Sequence, residues 1–115
     1  MDNIIEEKSF RFAVRIVNLN KHLQTNKKEF VLSKQLLRSG TSIGANISEA
    51  QQAQSRADFL SKLEIALKEA SETKYWLRLL YATEYLTADQ FESMHQDCSE
   101  IEKILVSIVK STKKN

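Results

Sequence analysis

Proline is absent from the 115-residue sequence, and glycine occurs only twice. A sheet of many short strands needs these residues in its tight turns, so their scarcity argues against a β-rich fold. The sequence also lacks an apolar run near the roughly 18 residues of a membrane-spanning helix, and its acidic start, MDNIIEEKSF, is unlike a signal peptide. We therefore expect an all-α protein without a membrane segment.

Charge of one sign and paired cysteines are lacking too. The sequence has 17 Lys and Arg residues against 15 Asp and Glu residues, a formal charge of +2. This balance does not predict nucleic-acid binding by net charge, so any basic surface must be local. The single cysteine, Cys98, cannot form an internal disulfide, which favours the reducing cytoplasm. The length predicts a single domain, residues 1–115.

Apolar residues recur at helical spacing in four segments of the chain. We predict helices over residues 9–23, 29–54, 56–83 and 88–110. Capping signals support two of the starts, because Ser55 precedes Asp58 before the third helix and Thr87 precedes Gln90 before the fourth. The basic tail KSTKKN is predicted to fray.

The first predicted helix is apolar on two stripes. One stripe consists of Phe10, Val14 and Val17, and the other of Phe12, Ile16, Leu19 and Leu23. An outer helix of a monomeric bundle needs only one such stripe. Either a deep groove within the chain or an interface between copies accounts for the other. We expect the interface, and we assign Phe12, Ile16 and Leu19 to it.

The third predicted helix also has a second apolar set, which lies opposite its core seam. The set consists of Ile65, Trp76 and Leu79. A tryptophan between leucines is typical of an interface anchor. Alternatively, Trp76 lies flat beneath lysine stems such as that of Lys68. We assign the set to an oligomer or partner interface.

Both glycines lie within the second predicted helix, in the segment RSGTSIGANISEAQ. Glycine costs about 1 kcal/mol relative to alanine inside a helix, so the pair requires a reason. Gly40 and Gly44 share one side of the helix and would let a neighbouring backbone approach closely. A kink at Gly40 is the alternative. Arg38 is either an ion-pair partner or an anion contact.

Signals of catalysis are few. Glu92 and His95 form the Glu-x-x-His pair of di-iron bundles, but such a site needs a second pair and two further carboxylates. No glycine-rich phosphate loop, Ser/His/Asp arrangement or cysteine cluster occurs. Cys98 lies in a hydrophobic seam and is expected to be a core residue. We expect no enzyme activity, metal, cofactor or small-molecule substrate.

Two segments, QLLRSGTSIGANISEAQ and FLSKLEIALKEASETKYWL, resemble the four-helix-bundle family of 23S rRNA intervening-sequence proteins. The family motif falls here on Arg38, Ser39, Ser42, Ile43, Asn46, Ile47 and Glu49, with Gly40 and Gly44 inside it; a further pattern falls on Phe59, Leu63, Ala66 and Glu69. The resemblance covers about residues 10–109. It implies an antiparallel up-down-up-down bundle and a ring-shaped homopentamer.

The chain departs from the family pattern at two places. Many relatives have proline in the first connection and glycine after the motif glutamate, where this chain has NKKE and Ala50. The family is also similar to accessory proteins of diversity-generating retroelements, which are strongly basic and bind a reverse transcriptase and nucleic acid. A nearly neutral chain fits that role poorly.

The leading hypothesis is therefore a non-enzymatic, self-assembling bundle with an RNA-associated role. Candidate RNA contacts are Arg11, Arg15, Lys34, Arg38, Arg56 and Lys62. The alternative is a protein-interaction adaptor that docks a partner on the surface around Trp76, similar to the reverse-transcriptase accessory proteins. The expected partners are further copies of the chain and RNA.

Overall fold

The computed structural model describes residues 3–114, and these residues form four helices without a strand. The helices are α1 (Ile4–Thr25), α2 (Leu32–Ala50), α3 (Arg56–Ala82) and α4 (Ala88–Lys114). Helices that follow one another in the chain pack side by side, and α1 also contacts α4. The bundle measures 47 × 22 × 20 Å. The predicted all-α, antiparallel up-down-up-down four-helix bundle is confirmed.

Helix α1 begins at Ile4, five residues before the predicted start at residue 9. The side chain of Asn3 caps the helix by accepting a hydrogen bond from the backbone amide of Glu6 over 3.2 Å. The acidic first turn is favourable at the positive end of the helix dipole, and Ile5 is buried in the core. The predicted start at residue 9 was therefore wrong, because the cap at Asn3 and the buried Ile5 extend the helix toward the N-terminus.

Helix α2 is shorter than its predicted range of 29–54. Its start is fixed by the Glu29 carboxylate, which accepts hydrogen bonds from the amides of Val31, Leu32 and Ser33 at 3.2, 3.0 and 2.7 Å. Glu29 therefore caps the helix instead of belonging to it. At the other end the chain turns after Ala50, and Ser55 caps α3 by accepting from the amide of Asp58 over 3.0 Å.

Helix α4 has the predicted start and a later end than predicted. Thr87 and Gln90 form a reciprocal capping box, with distances of 2.9 and 3.1 Å between each side-chain oxygen and the other residue's amide. The helix extends through Lys114, past the predicted end at residue 110; Val109 is buried, and Lys113 forms a 2.9 Å ion pair with Glu64 of α3. Asn115 lies outside the described residues.

Helices α1 and α2 approach closely at the two glycines. A β-carbon at Gly40 would lie 2.7 Å from Cγ1 of Ile16, and one at Gly44 would lie 3.2 Å from the carbonyl oxygen of Ser9. Helix α2 is helical through both positions. The missing side chains therefore make room for α1. They also leave a shallow groove on the outer surface between α1 and α2. No helix within residues 3–114 combines the length and apolar character needed to cross a membrane.

Candidate assembly surface

The motif segment of α2, residues 38–49, uses polar side chains for hydrogen bonds within the bundle. Ile43 and Ile47 are fully buried, and the Ser39 hydroxyl lies 3.0 Å from the hydroxyl of Thr73 in α3. Asn46 Nδ2 donates to a carbonyl one turn earlier in α2 over 2.8 Å. These contacts anchor α2 within the bundle, and the segment's exposed positions lie around them.

Arg38 lies in a charged network between α2 and α3. Its guanidinium pairs with the carboxylates of Glu69, at 3.4 Å, and Glu72. The indole nitrogen of Trp76 donates to the same Glu72 carboxylate over 3.0 Å. These hydrogen bonds, from Trp76 first and then from Arg38, lower the pKa of Glu72 below its ordinary value. Of the two roles considered for Arg38, the ion pair is the one present in this structure.

Most of the candidate RNA contacts are neutralised by carboxylates of the same chain. The pairs are Arg11 with Glu7, Arg15 with Asp97, Arg38 with Glu69 and Glu72, and Lys62 with Glu49. Within residues 3–114, Lys34 and Arg56 have no carboxylate within 4.0 Å. Because Arg15 faces α4 and Arg38 faces α3, these residues do not form one basic patch.

The stripe of α1 that was assigned to an interface belongs to the core. Phe12, Ile16 and Leu19 are 1%, 0% and 9% exposed, because this side of α1 faces α2 and α4. The predicted interface role of Phe12, Ile16 and Leu19 is therefore wrong, and these residues belong to the core. The other stripe lies on the outside: Phe10, Val14 and Val17 are 69%, 45% and 37% exposed.

The outer α1 stripe has a signal in the sequence that was overlooked. Glu7, Phe10, Val14, Val17 and Lys21 follow one another at alternating steps of three and four residues. That spacing is the heptad seam by which one helix packs against another, here with a charge at each end. An open groove of about 630 Å³ runs beside the seam between α1 and α2. Its floor includes the small residues Ala13, Gly44 and Ala45.

Helix α3 has a second apolar area on its outward side. Tyr75 is 53% exposed, and Leu79 is half-buried beside it. Together with Arg78, Tyr81, Ala82 and Phe91 they line an apolar groove of about 400 Å³ at the end of the bundle where α3 meets α4. The sequence prediction included Leu79 and missed Tyr75, which continues the same face one turn earlier.

Ile65 and Trp76 lie on the α2 side of this surface. Ile65 is 39% exposed, whereas Trp76 is half-buried and packs against the core cluster. The Tyr75 ring meets the Trp76 ring edge-on at a centroid distance of 5.0 Å. Trp76 therefore supports the exposed Tyr75 ring, and its own indole nitrogen is already hydrogen-bonded to Glu72.

The surroundings of Cys98 and His95, two of the groups considered for catalysis, shift the pKa of each side chain. Burial raises the pKa of the Cys98 thiol to about 12, so the thiol is protonated at neutral pH. Burial also lowers the pKa of His95, and the nearby Lys74 and Arg78 charges act in the same direction. Within residues 3–114, no group of three or more His, Cys, Asp or Glu side chains is placed to hold a metal ion.

The fold and this surface define a class: a four-helix bundle with an exposed apolar seam on one outer helix and an aromatic groove on the helix diagonally opposite. The sequence profile of the 23S rRNA-intervening sequence proteins matches residues 1–107. The chain belongs to this family.

One solved structure is similar over nearly the whole chain. It is the crystal structure of a protein of unknown function from the S23 ribosomal protein family of Bacteroides thetaiotaomicron VPI-5482. The two chains are 65% identical and superpose with a TM-score of 0.92, over 93% of this chain and 99% of the other. A comparison with curated proteins finds no match.

Proposed function

We propose that the protein is a non-enzymatic, self-assembling bundle that forms a homo-oligomer through its outer helix faces. The exposed stripe of Phe10, Val14 and Val17 carries the proposal. A row of exposed apolar side chains along one helix face is typical of a protein interface, because burying it removes apolar surface from water. The family resemblance described above supports a pentamer, five copies of 13.2 kDa or about 66 kDa.

A lysine in the exposed stripe tests the proposal. We expect Val14→Lys to reduce the mass measured by light scattering, because the interface would have to bury an unpaired charge. Val106→Lys is the matched control, since Val106 on α4 is 39% exposed, close to the 45% of Val14, and lies outside the stripe. Equal masses for both variants and the wild type would contradict the use of this face.

We further propose that the assembled protein associates with structured RNA. The family name supports this, as do Lys34 and Arg56, which have no carboxylate partner among the described residues. A ring repeats such charges, so weak phosphate contacts add up. Binding of a structured RNA should weaken as salt increases, and the double variant Lys34→Glu/Arg56→Glu should bind less. An absence of salt-dependent binding at low ionic strength would contradict the proposal.

The alternative function is a protein-interaction adaptor that binds a partner on the aromatic surface of α3. The exposure of Tyr75 beside Trp76 favours it. In that case Trp76→Ala should abolish partner binding and leave the mass of the assembly unchanged. A lower mass would instead assign Trp76 to self-assembly. With either function, the single cysteine and the ribosome-related family support a cytoplasmic location.

A further inference from the structure

We propose that the outward face of α1 in one copy packs against the outward face of α3 in the next copy, in a head-to-tail arrangement. The inference rests on the self-assembly proposed above and identifies the two surfaces that meet. The α1 face consists of Glu7, Phe10, Val14, Val17 and Lys21, and the α3 face of Lys68, Tyr75, Leu79 and the adjoining Glu84.

The two faces lie on opposite sides of the bundle. Among the described residues α1 contacts α2 and α4 but not α3, so α1 and α3 occupy diagonal corners. Their outward sides therefore point away from each other, and one copy cannot bring them together. A contact between different faces of successive copies closes into a ring when the rotation between copies allows it.

The two faces also lie at the same height along the bundle. Helix α4 contacts both helices and serves as a common reference. Arg15 of α1 hydrogen-bonds to Ser93 over 2.8 Å, and Tyr81 of α3 stacks on Phe91 at a centroid distance of 4.7 Å. With a rise of about 1.5 Å per residue, the exposed stripe of α1 and the aromatic groove of α3 lie within about one helical turn of each other.

The apolar centres of the faces are complementary in shape. The α1 face presents Phe10, Val14 and Val17 as projecting side chains. The α3 face offers a groove of about 400 Å³ between Tyr75 and the stacked rings of Tyr81 in α3 and Phe91 near the start of α4. In the opposite direction, the exposed Tyr75 ring can enter the shallow groove between α1 and α2. Each face thus carries a projection and a recess for the other.

The charges at the ends of the faces match in the same alignment. Glu7 at the start of the α1 seam lies within about one helical turn of the height of Lys68, and Lys21 at its end lies near the height of Glu84. Glu7 also pairs with Arg11 of its own copy over 2.8 Å on the exposed side of α1. Among residues 3–114, Lys21, Lys68 and Glu84 have no ion-pair partner within their own copy. Opposite charges at both ends favour this orientation over a reversed one.

A symmetric pairing of two α1 helices is the main competitor. In an antiparallel pair, Glu7 of one copy would meet Lys21 of the other, so the charges alone permit it. That pairing leaves the aromatic groove of α3 uncovered and stops at two copies. The head-to-tail contact covers both apolar areas, and for this reason we favour it.

Two variants that each damage one face distinguish these arrangements. Val14→Lys damages the α1 face and Tyr75→Lys the α3 face, and both residues are exposed, so the fold is expected to persist. We expect each variant alone to be a 13.2 kDa monomer. An equimolar mixture should form a complex of two copies, about 26 kDa, because each variant retains one intact face and the pair cannot extend.

Other outcomes overturn the inference in recognisable ways. If Tyr75→Lys keeps the wild-type mass, the α3 face is not used, while self-assembly itself stands. If both variants are monomeric and their mixture does not associate, the two faces do not bind each other. If the wild type is itself a monomer, both the self-assembly and this inference are wrong.

A charge exchange provides a second test that does not depend on the apolar substitutions. Glu7→Lys and Lys68→Glu should each raise the protein concentration at which half of the assembly is dissociated by about five- to tenfold. The reason is that each substitution places like charges opposite each other. The double variant Glu7→Lys/Lys68→Glu should return to within about twofold of the wild type. A double variant that is weaker than both single variants would overturn the proposed pairing. Val106→Lys remains the control with unchanged assembly.

Discussion

Gly40 is the residue at which one added carbon most affects the packing of α1 against α2. Three side-chain atoms of Ile16 lie within 2.9 Å of the position that a β-carbon would take. Ile16 is fully buried and β-branched, so it has little freedom to move aside. The glycine is thus required by a neighbour that lies far from it in the sequence.

We predict that Gly40→Ala lowers the free energy of unfolding by about 1–2 kcal/mol. Overpacking costs about 1–3 kcal/mol, toward the upper end here because Ile16 has little freedom to move aside, and the roughly 1 kcal/mol that alanine gains in a helix offsets only part of this cost. Urea titration followed by circular dichroism measures the change. In an Ile16→Ala background the same substitution should stabilise the protein, because the obstructing atoms are gone. An equal loss in both backgrounds would contradict this explanation.

Individual charges show how far single residues can be predicted from sequence. The Arg11–Glu7 pair, at 2.8 Å, follows from spacing, since residues four apart adjoin on a helix. The pairing of Arg15 with Asp97 does not, because it depends on how α1 and α4 align in the folded bundle. Arg15 was therefore predicted as an RNA contact, and only the three-dimensional structure identifies its carboxylate partner.

Helix ends and helix faces differ in how well they can be predicted. The capping box of Thr87 and Gln90 was recognisable because its signal is local. Both apolar stripes of α1 were also recognisable. The choice between them was wrong because the rotation of α1 about its axis is set by contacts with α2 and α4. The start of α2 was missed because a glutamate capped it through its side chain.

The charge of the Glu29 carboxylate stabilises the start of α2. Burial alone raises the pKa of Glu29, but hydrogen bonds from the amides of Leu32, Ser33 and Val31 outweigh it and lower the pKa. A lowered pKa in the folded state stabilises the protein above the ordinary carboxyl pKa, and the contribution is lost as pH falls through the folded value. We predict that Glu29→Gln costs about 1 kcal/mol at neutral pH, as other helix caps do.

The pH dependence of this loss separates the cap from other effects. The difference in free energy of unfolding between wild type and Glu29→Gln should shrink as the pH falls below about 4, because Glu29 then becomes neutral in the wild type too. Glu92→Gln on the exposed side of α4 is the control, with an expected change within about 0.5 kcal/mol. A loss independent of pH would contradict a role for the charge.

At the scale of the whole molecule, the bundle buries one core and leaves apolar areas of α1 and α3 exposed at diagonal corners. The absence of proline and the four periodic segments predicted an all-α chain of four helices, and the family resemblance implied the antiparallel up-down-up-down bundle. The assembly surface was predicted only in part, because exposure is a property of the packed helices. Leu79 was placed on it, Phe10 and Tyr75 were missed, and Phe12 was assigned to it wrongly.

The mass of the wild-type protein in solution decides whether copies of the chain associate through their outer helix faces. We would measure it by size exclusion with light scattering at micromolar protein and moderate salt, where exposed apolar faces of different copies can associate. We expect about 66 kDa, five copies of 13.2 kDa, with dissociation upon dilution. A mass of 13.2 kDa at every concentration would contradict it, because the apolar faces of α1 and α3 would then stay exposed in the absence of another partner.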